Sequence, residues 1–201
     1  MKKLTSILLS AILVFGISGV VNTMNAQQSP EAIKELLQQR DRQIKDLLGP
    51  EGTEYTKENR QELKDIINGV IDYGAMAKYA LQDTYNEISA DEQKEFVDLF
   101  STIIRDHSLN QLDIYRSDVT YRNIELDGNE AIANTMAQRK NVRTPVIYKL
   151  YYEQENGEWV VIDFSIDDVS TADSYQRQFQ NIIRKDGFDK LMNNLRKRAS
   201  R

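Results

Sequence analysis

Apolar residues in this chain change their spacing twice, and the order of those changes limits the fold more tightly than any single motif. From residue 30 to about 115 they recur at helical intervals. Over residues 119–166 they alternate, and from Ser170 onward the helical interval returns. Helices, then strands, then helices predict an α+β fold. N-terminal helices, a curved antiparallel sheet of about four strands and C-terminal helices would share one core.

The boundaries carry their own chemistry. Ser29-Pro30-Glu31 opens a helix running to about Leu48, with Pro at the first helical position, where its missing N–H costs nothing. Ile33, Leu36, Leu37, Ile44, Leu47 and Leu48 form its apolar stripe, and Gly49-Pro50-Glu51-Gly52 ends it. Residues 60–70 and 73–81 read as further helices. Ser89-Ala90-Asp91-Glu92 is a capping box that starts a long helix reaching about Tyr115, with Phe96, Phe100, Ile103 and His107 on one face. Val119-Tyr121-Ile124 and Ile132-Asn134-Met136 flank Asp127-Gly128-Asn129 as a hairpin. Val146, Tyr148, Leu150 and Tyr152 share a face of the next strand, and Glu155-Asn156-Gly157 turns the chain into residues 159–166.

That last strand is apolar on both sides. Strict alternation puts Trp159, Val161 and Asp163 on one face and Val160, Ile162, Phe164 and Ile166 on the other, so it is expected to be covered twice. A sheet curved under helices either fills its concave side with side chains or leaves a hollow. Periodicity alone reads as a filled core.

Little in the chain points to a reaction. The single histidine, His107, sits on an apolar helical face and reads as a packed core residue. With one His and no Cys, a metal site would need several carboxylates, and no loop has calcium-ligand spacing. No phosphate loop or nucleophile elbow appears outside the first residues, so no cofactor is expected. Asp163 is the best acid. It has two readings: the base of a small-molecule isomerase or hydrolase, or a hydrogen-bond acceptor for a nearby helix terminus.

The first residues resemble an export signal: Lys2 and Lys3, then a mostly apolar run over residues 4–21, with Ala26 as the last residue before cleavage. Ser and Gly interrupt that run, which favours cleavage over anchoring. The expected organisation is therefore a signal peptide over residues 1–26 and a single domain over residues 27–201. Losing Lys2 and Lys3 takes the formal charge from −5 to −7, a poor balance for nucleic acid. Without cysteine there are no disulfide staples.

Several segments taken in order are similar to the MlaC, or toluene-tolerance, family of periplasmic phospholipid carriers. Asp72-Tyr73-Gly74-Ala75-Met76-Ala77-Lys78-Tyr79-Ala80-Leu81 resembles its Asp-aromatic-x-x-Met-Ala-x-x-x-Leu segment. Gln93, Phe96 and Phe100 fall on its capped helix. Gly157-x-Trp159-x-Val161-x-Asp163, Tyr175-x-Arg177-x-Phe179 and Gly187-x-Asp189-x-Leu191 follow in family order. Two positions depart: Gln82 and Asp168 stand where the family usually has glycine.

The resemblance implies a soluble, non-enzymatic carrier in the periplasm, a monomer that takes phospholipid between two membrane assemblies. One is an outer-membrane lipoprotein complex and the other an inner-membrane ABC transporter with an MCE-domain subunit. A carrier of hopanoids or other lipids on the same fold is the nearest alternative. The resemblance also implies a deep apolar pocket in place of the filled core. Inward-facing apolar positions expected to line it are Met76, Tyr79, Phe96, Phe100, Ile103, Met136, Tyr148, Leu150, Val161 and Phe164.

Overall fold

The structure, a computed structural model, describes residues 27–54, 56–109 and 112–200. The expected export segment over residues 1–26 lies outside the described residues, as does the side chain of His107.

Helix α1 (Pro30–Leu48) starts where Ser29 Oγ accepts from Ala32 N at 3.2 Å, and it stops at Gly49, whose φ of 55° suits a residue without Cβ. Helix α2 (Lys57–Asn68) begins earlier than its apolar stripe suggests, because Thr56 and Asn59 form a reciprocal cap. Asp72 caps α3 (Tyr73–Leu81) by accepting from Ala75 N at 2.9 Å. A short α4 (Asp83–Glu87) leads to α5 (Ala90–Leu109), and α6 (Leu112–Tyr115) is a separate turn of helix where one long helix was expected.

The sheet is an antiparallel meander of β1 (Asp118–Asp127), β2 (Glu130–Arg139), β3 (Val142–Glu153), β4 (Glu158–Ile166) and β5 (Val169–Ser170), hydrogen-bonded in that order. It has five strands where about four were expected, because Asp167 and Asp168 make a two-residue turn that adds β5. Their φ values of 51° and 61° are the positive pair that such a turn requires. Helices α7 (Thr171–Asp186) and α8 (Phe188–Ala199) close the chain. No described helix is long and apolar enough to cross a membrane.

Two bulges decide which side chains face inward. One falls between Tyr121 and Asn123 in β1, so that Val119, Tyr121, Ile124 and Leu126 all turn inward, although strict alternation would separate them. The other falls where Lys149 pairs Asp163 and Leu150 pairs Val161, leaving Ile162 over. This corrects the strict alternation expected in β4. Phe164 and Ile166 join Val161 on the inner side, and Asp163 leaves it.

Among the described residues three apolar clusters hold these elements together. Met76, Phe96, Phe100, Ile103 and Phe179 pack between α3, α5, α7 and α8. The rings of Phe96 and Phe179 meet edge to face at 5.6 Å, and those of Phe100 and Tyr175 at 5.0 Å. Each such pair adds about 1 kcal/mol beyond its burial. Ile33 and Leu37 of α1 press on Ala131, Ala133, Leu150, Tyr152, Trp159 and Val161 at one end of the sheet. Ile44 and Leu48 meet Leu63 and Ile67 of α2.

The outer edge of β4 is not left open. Val161 N donates to Val70 O at 2.7 Å, and Asp72 N donates to Val161 O at 2.9 Å. Residues 70–72 thus lie along β4 before α3 begins, which fixes where α1–α3 sit against the sheet.

Candidate functional site

Between α1 and the sheet lies an apolar cavity of about 110 Å³. Its floor is the concave face of the sheet: Val119 and Tyr121, then Thr135 and Ala137, then Val146 and Tyr148, then Val161, Phe164 and Ile166. Its roof is Leu37 and Ile44 of α1 and Ile67 of α2. Val70, Ile71, Ile114 and Tyr115 form the flanks. Arg40 and Asp41 are its only charged neighbours among the described residues.

The hollow has a cause in the sequence. The inward face of β2 is Ala131, Ala133, Thr135 and Ala137, all small. Toward the Trp159 end, Ile33, Leu150 and Tyr152 fill the room that Ala131 and Ala133 leave. Toward the β2–β3 turn the large residues around Thr135 and Ala137 line the space without filling it, and it stays open. Thr135 spends its hydroxyl on Val146 O at 2.7 Å, so it presents its methyl and little polarity. Burial holds the phenols of Tyr148 and Tyr121 well above the ordinary tyrosine range, with the Asp41 carboxylate adding to the shift. Both remain neutral at any physiological pH.

The ten expected lining residues fall into different places. Tyr148, Val161 and Phe164 line the cavity. Leu150 is buried in the filled end of the same sheet face. Met76, Phe96, Phe100 and Ile103 belong to the helical cluster, where aromatic neighbours occupy the space around them. Tyr79 is 47% exposed, and its hydroxyl donates to Asp173 outside the cavity. Met136 lies on the opposite face of β2 from Ala137, because the small residues of that strand turn inward and the large ones outward. Ile132, 41% exposed, shares that outer face.

The other neighbours of the cavity were not among the expected residues: Leu37, Ile44, Ile67, Val70, Ile71, Ile114, Tyr115, Val119, Tyr121, Thr135, Ala137, Val146 and Ile166, with Arg40 and Asp41. The stripe of α1 was legible as apolar, but its partner was not. The run Ala131, Ala133, Thr135, Ala137 was the available signal for an unfilled face.

Asp163 has a structural employment. It is 5% exposed, and its Oδ1 accepts from Ala172 N at 2.9 Å while Oδ2 accepts from Ser170 Oγ at 2.7 Å. Ser170 Oγ in turn accepts from Asp173 N at 3.0 Å, so the carboxylate and the serine together cap α7. Lys149 Nζ stands 3.5 Å away as counter-charge. This is the helix-terminus reading of Asp163, and it points the carboxylate away from the cavity. Among the described residues no group of three or more His, Asp or Glu is placed to hold a metal.

Comparison with known proteins adds three findings. The profile of the family described as MlaC protein matches residues 38–197. No curated protein matches. Among solved structures, the chain is similar to a phospholipid-binding protein from Ralstonia solanacearum in complex with a phospholipid. The TM-score is 0.70 at 17% identity, covering 85% of this chain and 96% of that one.

Proposed function

The chain belongs to the MlaC family, and from that premise we propose that it binds phospholipid, with acyl tails in the cavity between α1 and the sheet. The supporting observation is the wall itself: small residues on β2 leave a hollow that large apolar residues of β1, β3, β4 and α1 surround. The similar protein from Ralstonia solanacearum holds a phospholipid on the same fold.

The physics asks for no catalytic group. Burying hydrocarbon gains about 0.8 kcal/mol per methylene, so two tails of roughly fifteen carbons gain on the order of 20 kcal/mol against water. A bilayer offers the same tails a similar gain. The wall must therefore be nearly as apolar as lipid to take a tail, and no better than lipid to release it. An apolar cavity of about 150 Å³ accommodates a benzene. At 110 Å³ this one seats a short stretch of chain, so entry of a whole tail requires its walls to part.

In this reading residues 1–26 direct export and residues 27–201 act as one lipid-binding domain in the periplasm. The protein is a monomeric shuttle between an outer-membrane lipoprotein complex and an inner-membrane MCE-domain ABC transporter. Asp163 serves the fold and no reaction. The test is mass spectrometry of an organic extract of protein purified without detergent. Near one phospholipid per chain supports the proposal. A polycyclic lipid in its place redirects it to another cargo, and an empty extract contradicts it.

A further inference from the structure

Beyond the β2–β3 end of the cavity the surface changes character. Lys45, Arg116, Arg139 and Lys140 surround an open recess of about 370 Å³ with one carboxylate, Glu51. The chain as a whole carries a formal charge of −5, so this concentration of cations runs against its composition. The recess and the cavity have no lining residue in common, but their linings are neighbours along the chain. Lys45 follows Ile44, Arg116 follows Tyr115, and Arg139 stands two residues after Ala137; Ile44, Tyr115 and Ala137 all border the cavity.

The cations divide their work. The Arg116 guanidinium donates to the carbonyls of Leu48, at 3.1 Å, and Gly49, which ties the end of α1 to the start of the sheet. Arg139 meets Glu51 at 3.4 Å, but the Glu51 side chain is 70% exposed, and so open a pair contributes little. Lys45 pairs with Asp41 at 3.0 Å on the same helix face. Lys140 sits at the exposed tip of the β2–β3 turn.

We infer that this recess receives the phosphate of the bound lipid's headgroup, with Lys45, Arg139 and Lys140 as its cationic contacts. The inference rests on the phospholipid reading above. It adds that the lipid lies with its tails under α1 and its headgroup at the β2–β3 turn. A phosphate there meets Arg139 beside the exposed Glu51 and adds Lys45 and Lys140 as further cations. The preference is for a phosphate-bearing lipid over an uncharged lipid with the same tails.

The test compares wild type with the triple variant Lys45→Gln, Arg139→Gln, Lys140→Gln. Each is incubated with phosphatidylcholine vesicles carrying traces of labelled phosphatidylglycerol and labelled diacylglycerol of identical tails. The ratio of the two labels taken up is read for each protein, which cancels the bilayer's own preference. The ratio is expected to fall at least about fivefold in the variant, the worth of one lost cation. Diacylglycerol uptake by the variant reports that it is folded. An unchanged ratio overturns the inference. So does an unchanged ratio accompanied by calorimetric binding of inorganic phosphate to wild type alone, which would make the recess a free-phosphate site. Uptake of neither lipid by wild type would instead refute the phospholipid reading itself, and the inference with it.

Discussion

Ala137→Leu should make the protein more stable and leave it without lipid. Ala137 is 4% exposed, yet it borders the 110 Å³ cavity, so a larger side chain there has space in front of it. Leucine adds three carbons, worth about 2.4 kcal/mol if fully buried. Fixing its rotamer costs about 0.5–1 kcal/mol. An independent ceiling comes from the cavity: filling all 110 Å³ recovers at most about 2.6 kcal/mol. The two estimates agree on a gain of about 1–2 kcal/mol, or a rise in Tm of about 2–8 °C.

The comparison requires delipidated proteins, since bound lipid stabilises wild type by mass action. Urea denaturation gives the stability, and phospholipid per chain after purification gives the occupancy. Met136→Leu, on the neighbouring residue but the opposite face of β2, is the control and should leave occupancy unchanged. Wild-type occupancy in Ala137→Leu, or a loss of stability alongside a loss of lipid, would refute the reasoning.

Further outcomes follow from the backbone and the buried groups. Gln82 holds φ 52° and ψ −132° at the end of α3, a conformation costly for any residue with a Cβ. Gln82→Gly should therefore raise stability by about 1 kcal/mol, seen as a rise of about 2–4 °C in Tm; a lower Tm would contradict the assigned strain. Asp163→Ala removes the acceptor for Ala172 N and Ser170 Oγ. It should cost about 2 kcal/mol in urea titration while the phospholipid content of the folded fraction is retained. Above pH 10 the protein should lose stability. Burial raises the phenols of Tyr148 and Tyr73 above their ordinary value of 10.0, so the unfolded chain releases those protons first. Their contribution is complete below pH 10 and lost above it, at up to about 1.4 kcal/mol per pH unit per group. A flat stability profile from pH 9 to 11 would exclude it.

Much of the architecture was legible because its signals are local. Ser29-Pro30 and the Ser89 capping box each mark a boundary with their own hydrogen bonds. The inward face of β3 was legible because large apolar residues alternate there with Lys149 and Tyr151. In β2 the same logic pointed the wrong way. Ile132 and Met136 are the larger apolar residues, but a face that borders a cavity is made of alanines, and size is the wrong guide to it. A bulge leaves no mark in periodicity, which is why the parity of Asp163 and Phe164 was misread.

Phe96 and Phe100, expected to line the pocket, lie buried in the helical cluster. Which of two apolar clusters a residue joins depends on the packing of α5 against α7 and α8, and no spacing along one helix contains that. The two departures from family glycines, Gln82 and Asp168, proved informative. Both stand at positive φ, so the corners a glycine would make are kept at a cost in strain.

The most direct test of the central claim places a diazirine-bearing aliphatic side chain of about leucine's size at Val146 in one variant and at Ile132 in another, followed by irradiation of the purified, lipid-loaded protein. Val146 borders the cavity, while Ile132 faces outward from the adjacent strand. The account predicts a phospholipid adduct, its mass added to the intact chain, at Val146 and none at Ile132. Adducts at Ile132, or at both sites equally, would place the lipid on the outside of the sheet and contradict it.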